Sequence, residues 1–573
     1  MNGQKKSLMR TLLLIGMGLM IPCYLFTVGN TAFSPWELYD RNRLALVILT
    51  PLCLGLLLLL GRAARAGVFE KHERAMLVGF ALFYLVCQLV MSRLLRFTPI
   101  TDLEQCYTAA QLLVDQGGFG NLERPFVYFT RYPHNLGLVD LLAGIFWFFG
   151  LFGWADRFAQ AALVCSLLFT VGLLASARLC RRLGGVQAQA RMLMMFAVCL
   201  PFLYCTTELY TDAFSLSFSS VILWSCLKAK DAQSGKRRAG YALVFGLAAF
   251  VGAQIRFTTI IAAIACLIAM FFEKRFKLTA WLAAFLALFF CVGGAAVTCA
   301  NNAQLGEENI RKYTLPKLHY IAMGLPVQSD EGYGQYGYGG WLVFSTSFEN
   351  PQERDAALLQ EVIDRVYYLR YPDRLLNMMS RKNLSTFGNG TFKLNEIFEA
   401  DEHEPDNAVK QVIFETGKGY RAYYHICTAM FMAQMLLACM ACAQAIKERN
   451  TSAAALFLTL LGAFLFLCIW ETRARYFFQF EMILICAAAM YGGKTIGGFL
   501  RKTRIKKRAE PAFTSAEVWR TLKSCSRGQF YAISYTLKNN PLLLTGKRIV
   551  FCMKRISARR GRSRSPSSGF RLP

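Results

Sequence analysis

Charged side chains are scarce along the apolar blocks of this sequence, and where they occur they cluster. Such groups are costly beside hydrocarbon and usually face a cavity, so the clusters are where chemistry is sought first. Thr101-Asp102-Leu103-Glu104-Gln105 opens an amphipathic stretch through Tyr107, Ala109, Ala110, Leu112 and Leu113 and offers two carboxylates for general-base work. Asp102 also stands where a helix N-cap belongs, which is its plain structural role. Arg131-Tyr132-Pro133-His134-Asn135 leads into the next apolar block, a setting that by itself suits an interfacial histidine. Glu208-Leu209-Tyr210-Thr211-Asp212 puts two carboxylates at i and i+4 in a short turn. That spacing serves acid–base work, could hold a divalent cation, or is simply a solvated loop. Arg256 lies between two apolar blocks with no acid nearby in sequence, which suits a phosphate partner. Glu471-Thr472-Arg473-Ala474-Arg475-Tyr476 closes a late block, and its arginines could clamp phosphate oxygens with fork geometry or anchor a helix at the interface.

Several classes are excluded. No Walker motif, zinc signature, nucleophile elbow or dinucleotide fingerprint occurs, which argues against an ATP-driven pump and the common soluble enzymes. No metal site is assigned and no cofactor is required; the divalent cation at Glu208 and Asp212 is an option that nothing demands. Nearly all of the 19 cysteines fall inside apolar blocks, and Cys439 and Cys442 have CxxC spacing without a companion pair, so they read as helix-packing residues. No fixed repeat and no pair of matching halves is found.

The elements that must position these clusters are membrane helices. The chain has 573 residues, is 55% hydrophobic, and gathers its apolar residues into uninterrupted blocks instead of alternating faces. Blocks lie near 8–28, 44–60, 76–92, 136–153, 158–179, 190–207, 212–228, 239–254, 257–272, 278–299, 422–446, 452–470 and 476–498. The first follows Lys5, Lys6 and Arg10 but has no small-residue cleavage site, so it reads as a retained span. Basic linkers all reach the cytoplasmic side if 136–153 does not fully cross, which favours twelve crossings and one re-entrant segment; thirteen spans is the other count. The expected fold is an all-α polytopic membrane bundle with an α-rich extracytoplasmic cap.

The expected organisation is 1–92, N-terminal spans; 93–135, a first outer loop; 136–299, a membrane core; 300–421, the cap; 422–498, C-terminal spans; and 499–573, a basic tail. The cap holds 17 of the 36 acids against 13 basic residues, the asymmetry of a translocated loop. It should contain a helix over 355–369 and a tight turn at 332–340 (GYGQYGYGG). From Arg501 onward 19 Lys or Arg meet 2 acids, a net +17 that suits an anionic cytoplasmic leaflet. No nucleic-acid-reading module accompanies it. The final SRSPSSGFRLP reads as disordered. Both termini are expected in the cytoplasm and the site outside it.

In their order, several stretches resemble the GT-C class of membrane glycosyltransferases, specifically bacterial relatives of dolichyl-phosphate-mannose–protein mannosyltransferases and of aminoarabinose transferases. They are TDLEQCYTAAQLL, RYPHNLGLVDLLAGIFWFFG with DRFAQ, ARLCRRLGG, LYTDAFSL, IRFTTIIAAIACLIA, LPKLHYIAMGL and ETRARYFFQFEMIL, together covering about residues 95 to 495. The resemblance implies a sugar moved from a polyprenyl-phosphate donor to an extracytoplasmic acceptor (wall polymer, glycolipid or protein) with inversion. It implies Asp102 as the base, with Glu104 a second acid beside it, and Arg256, Arg473 and Arg475 as cations for the donor phosphate. Glu208 and Asp212 would orient acceptor or sugar, Tyr132, His134 and Asn135 would line the cavity, and the cap with His319 would cover it. The other reading is a transporter or flippase of lipid-linked sugars, which would be expected to carry duplicated halves and charges near mid-span.

Overall fold

The computed structural model describes residues 2–39, 41–64, 68–119, 123–328, 331–396 and 405–492. Met1–Gly493 packs as one unit; the second unit, Lys494–Pro573, on which the expectations of a basic tail and of a disordered SRSPSSGFRLP end fall, lies outside the described residues.

Among the described residues seven helices are long and apolar enough to cross a membrane: Leu8–Phe33, Arg43–Ala63, Phe69–Leu94, Arg157–Ala197, Gly235–Ile255, Phe276–Leu305 and Tyr420–Lys447. Their burial sorts them. Only 22% of the apolar stretch of Arg43–Ala63 is covered by protein, against 78% for Tyr420–Lys447, so the latter is the centre of the bundle and the former faces outward with Leu52 and Leu59 uncovered. An exposed leucine face of that kind is stable in lipid and unfavourable in water.

The remaining apolar blocks are shorter pieces. Leu136–Gly150 has 15 residues, about 22 Å at the α-helical rise, which is less than a hydrocarbon core. Phe257–Phe272 and Ala454–Ile469 are also short. The blocks at 158–179 and 190–207 are two helices that meet at a kink without an intervening loop. They form one run, Arg157–Ala197, broken at Gly185, whose φ of 75° and ψ of −173° only glycine adopts cheaply. The end of the second block unwinds after Ala197 into 3-10 turns at Leu200–Leu203 and Cys205–Thr207. The block at 212–228 is split into Thr211–Ser215 and Phe218–Asp231. These interruptions matter, because they carry Glu208 to Asp212 into the site.

The 300–421 segment is helical, with Pro351–Tyr368 covering the helix expected at 355–369. Its core gathers Leu315, Tyr320, Met323, Trp341 and Leu358. A buried ion pair fastens it: Arg365 Nη2 lies 2.5 Å from Glu331 Oε1, while Glu331 Oε2 accepts from the Val327 and Gln328 amides at 2.6 and 2.8 Å. Burial pushes the Glu331 carboxyl up, but Arg365 and those amides win and hold it below its ordinary value. Helix Pro372–Phe387 joins this segment to the bundle. Its buried Lys382 ammonium donates to the carbonyls of Gly324 and Trp470, clasping the end of Lys317–Gly324 to the strand of chain that carries Glu471 to Arg475.

Candidate active site

The charged clusters converge through helix ends. Helix Thr101–Gln116 presents Asp102 in its first turn, directly after Thr101, a β-branched residue held at φ 53°. Leu209, between Glu208 and Tyr210, is likewise held at φ 52°. Non-glycine residues in this region store strain, and such strain collects at functional sites. Arg256 follows the last residue of Gly235–Ile255, in extended conformation before the 3-10 turn Phe257–Thr259. The Pro133–Asn135 turn is set against it by Gly137: a Cβ there would stand 2.1 Å from the Gln254 carbonyl oxygen, so helix Leu136–Gly150 approaches backbone to backbone. Arg473 is extended just before the 3-10 helix Ala474–Phe480, and Arg475 is in the first turn of that helix.

These residues line one cavity of about 540 Å³. At its polar end Asp102 Oδ2 accepts from the Tyr210 hydroxyl at 3.4 Å, and Asn135 Nδ2 donates to the Tyr128 hydroxyl at 2.7 Å. The Arg475 guanidinium lies 5.2 Å from the centre of the same Tyr210 ring, so one tyrosine separates carboxylate from cation. Beneath the floor sits Asp212, fully buried. Arg256 Nη1 is 3.2 Å from its Oδ1 and Arg475 Nε 3.5 Å from its Oδ2. Arg256 Nη1 also donates to Thr211 Oγ1 at 2.8 Å, and its guanidinium stacks 4.4 Å over Tyr476. One buried carboxylate thus holds two guanidinium groups side by side. Arg256 lines the cavity, while its Nε is buried without a partner among the described residues.

An aromatic wall runs from this end to an apolar one. Tyr132 and Tyr336 share a hydroxyl–hydroxyl bond of 2.8 Å, and His134 meets Tyr320 edge to face at 6.1 Å. Tyr320 stacks on Trp470 at 5.1 Å and 14°, and Trp470 stacks on Phe466 at 5.1 Å and 27°. Beyond Phe466 the lining is Phe257, with the Lys317 ammonium 5.0 Å from its ring centre, and Val297 from the sparsely covered helix Gly294–Leu305. His134 is exposed to the cavity, and desolvation among the surrounding residues, with the Arg256 charge, lowers its imidazole pKa.

Asp102, Tyr132, His134, Asn135, Arg256, Arg473 and Arg475 therefore share one cavity. Arg473 is partly engaged, its Nη1 3.1 Å from Glu396. Four other sequence candidates lie elsewhere. Glu104 opens onto an adjoining outer cleft with Thr101, Gln105 and Arg131. Asp212 is under the arginines and does not reach the cavity surface. Glu208 is fully buried, neither oxygen has a hydrogen-bond partner among the described residues, and burial followed by the Asp212 charge pushes its carboxyl well up. His319 is inside the cap, its Nδ1 2.7 Å from Ser345 Oγ. A divalent ion at Glu208 and Asp212 would have to compete with two fixed guanidinium groups. Among the described residues no group of three or more His, Cys, Asp or Glu side chains is arranged to hold a metal.

The sequence reading missed Tyr128, Tyr320 and Lys317 as cavity lining, while Glu471, from the last cluster, lines it too. Tyr128 carries a usable signal, since it lies one helical turn before Tyr132. The stacking of Tyr320 on Trp470 joins residues too distant in sequence to be paired by eye.

Residues 42–495 match the family model described as conserved hypothetical integral membrane protein. The chain belongs to this family. It is an all-α, polytopic integral membrane protein. No curated protein matches it. Among solved structures it is similar to the oligosaccharyltransferase AglB of Archaeoglobus fulgidus in complex with an inhibitory peptide and a dolichol-phosphate, with a TM-score of 0.39, 15% identity, and coverage of 86% of this chain and 56% of that one. The apo oligosaccharyltransferase of the same organism gives 0.39, 15%, 78% and 53%. ArnT of Cupriavidus metallidurans bound to undecaprenyl phosphate gives 0.33, 14%, 77% and 81%. The chain thus spans little more than half the length of the archaeal proteins.

Proposed function

We propose that this member of the family is a glycosyltransferase that moves a sugar from a polyprenyl-phosphate donor to a hydroxyl acceptor on the far side of the membrane from the cytoplasm. The observation that carries the reading is the single cavity that holds a carboxylate, two paired guanidinium groups and an apolar end. The order of the GT-C-like motifs supports it. In the reaction the acceptor oxygen attacks the anomeric carbon while Asp102 takes its proton. The bond from that carbon to phosphate breaks, and polyprenyl phosphate leaves with the electron pair. Arg256 and Arg475 stabilise the charge gathering on the phosphate, a task suited to cations fixed in place before the reaction. Arg473 lies nearby but shares its charge with Glu396. The prenyl chain follows the Phe466, Phe257 and Val297 end, and the aromatic wall gives the sugar ring flat apolar faces to lie on. Tyr132, His134 and Asn135 border the sugar. Glu208 and Asp212 act from beneath, Asp212 by orienting the arginines.

The test is transfer of label from radiolabelled polyprenyl-phosphate sugars in liposomes, comparing wild type with Arg256→Gln and Arg475→Gln, each with its lysine counterpart. Transfer should fall about 10²–10³-fold in the glutamine variants, as for loss of one oxyanion donor, with partial return in the lysine ones. Donor that crosses the bilayer intact, with no label released, would overturn the reading in favour of a flippase.

A further inference from the structure

Helix Pro351–Tyr368 carries more apolar surface than the cap uses. Leu358 and Val362 face the cap core, as one amphipathic stripe should. A second stripe at helical spacing, Leu359, Ile363, Val366 and Tyr367, is 48, 51, 57 and 65% exposed. A third, polar sector holds Glu353, Gln360 and Asp364. The apolar face continues into the next helix, where Leu375 and Leu376 are 42 and 60% exposed.

The depth of this face follows from its neighbours. Helix Pro372–Phe387 runs along the first span: Phe387 meets Tyr24 at 6.5 Å between ring centres, Asn383 Nδ2 donates to Thr27 Oγ1 at 2.9 Å, and Asn30 Nδ2 donates to the Ser380 carbonyl at 2.7 Å. Lower numbers in the helix therefore pair with positions ever nearer the span's end at Phe33. Leu376 is one further turn out, about 5–6 Å, and so sits where the apolar core of a bilayer gives way to headgroups. Cations and phenols mark the same level. Arg370 lies 3.5 Å from the Tyr367 ring centre and 4.2 Å from that of Tyr371; Arg374 lies 4.2 Å from that of Tyr368. Neither arginine pairs with a carboxylate among the described residues. Tyrosine and arginine at the edge of an apolar belt are the anchors of a membrane interface.

We propose that this face rests in the phospholipid headgroup layer, its leucines and isoleucine dipping to the acyl boundary and Arg370 and Arg374 meeting lipid phosphates. The cap is then fastened to the bilayer as well as to the bundle, which fixes it over the cavity. The occupant is lipid because the face is continuous in depth with the end of a membrane span and the Arg370 and Arg374 guanidinium groups, which pair with no carboxylate among the described residues, complement phosphate.

The experiment uses the full chain in phospholipid nanodiscs with a photoreactive benzoylphenylalanine at Ile363, at Leu376, or at Glu353 on the polar sector. Mass spectrometry should find lipid adducts at Ile363 and Leu376 and none at Glu353. In an Arg370→Glu, Arg374→Glu background the Ile363 adduct should be lost or strongly reduced. Crosslinks from Ile363 to a second copy of the chain, or no adduct at either apolar position, would overturn the proposal. None of these residues touches the cavity, so the outcome is independent of the proposed reaction.

Discussion

His319 shows what depth does to a residue that sequence alone places at a surface. It stood among the sugar-binding candidates because it lies in a motif-like stretch, and the fold buries it against Ser345. Burial, then the Arg354 charge, lowers its pKa from the usual 6.5 to about 4. An unfolded histidine takes up its proton near 6.5 and the folded one near 4, so the native state is favoured above 6.5 and loses this advantage as pH falls through that window. The full effect is on the order of 3 kcal/mol. Thermal melts in detergent should show stability falling from pH 6.5 towards 4 more steeply in wild type than in His319→Gln, with KM for donor unchanged at pH 7. A melting profile of equal slope in both, or a raised KM, would return His319 to the site. Arg256 was legible for the opposite reason. A lone arginine between apolar blocks must find a partner, and the sequence names the residue although not the buried Asp212 that holds it. Glu104 and Asp102 are two residues apart on a helix, and only the fold shows that Asp102 lines both the cavity and the adjoining cleft while Glu104 lines the cleft alone.

At the level of elements, function depends on where helices stop. Arg256, Asn135, Asp212 and Arg475 all stand at or beside helix breaks. Hydropathy finds the apolar blocks reliably because lipid demands them, but it is blind to breaks inside a block. It therefore read 190–207 and 212–228 as whole spans, where the chain unwinds after Ala197 and is interrupted again before Phe218. The glycine at 185 could have signalled the bend, though nothing nearby in sequence fixes its φ. Gly137 has a role that can be tested. A methyl group there meets the Gln254 carbonyl oxygen at 2.1 Å, so Gly137→Ala must push the Pro133–Asn135 turn away from Arg256. Overpacking of this kind costs about 1–3 kcal/mol. Displacement by an ångström or so also disturbs alignment, and transfer should drop by about 10²-fold. Both are read by comparing melting temperature with initial transfer rate. A normal rate in the folded variant would mean the close approach does not position the site.

On the scale of the whole molecule, the apolar composition predicts a membrane bundle, which the chain builds; the acid-rich 300–421 segment is expected to form a cap, and it contains helices around a small apolar core. The resemblance implies a cap whose Tyr-rich turn covers the site; the fold adds that Tyr320, Tyr336 and Lys317 line the same cavity as residues of the first loop and the last spans. That convergence depends on contacts between residues far apart in sequence, such as the Tyr132–Tyr336 hydroxyl pair, 204 residues apart, and the Lys382 clasp between Gly324 and Trp470. The account rests on this convergence having a chemical purpose, with Asp102 as its base. The most direct test is Asp102→Asn in purified, folded protein, measured for release of sugar from radiolabelled polyprenyl-phosphate donors and, separately, for binding of polyprenyl phosphate. The carboxamide keeps the shape of the side chain but cannot take the acceptor's proton. The account predicts that release is lost while binding of the lipid phosphate persists through Arg256 and Arg475. Release at the wild-type rate in folded Asp102→Asn would contradict it.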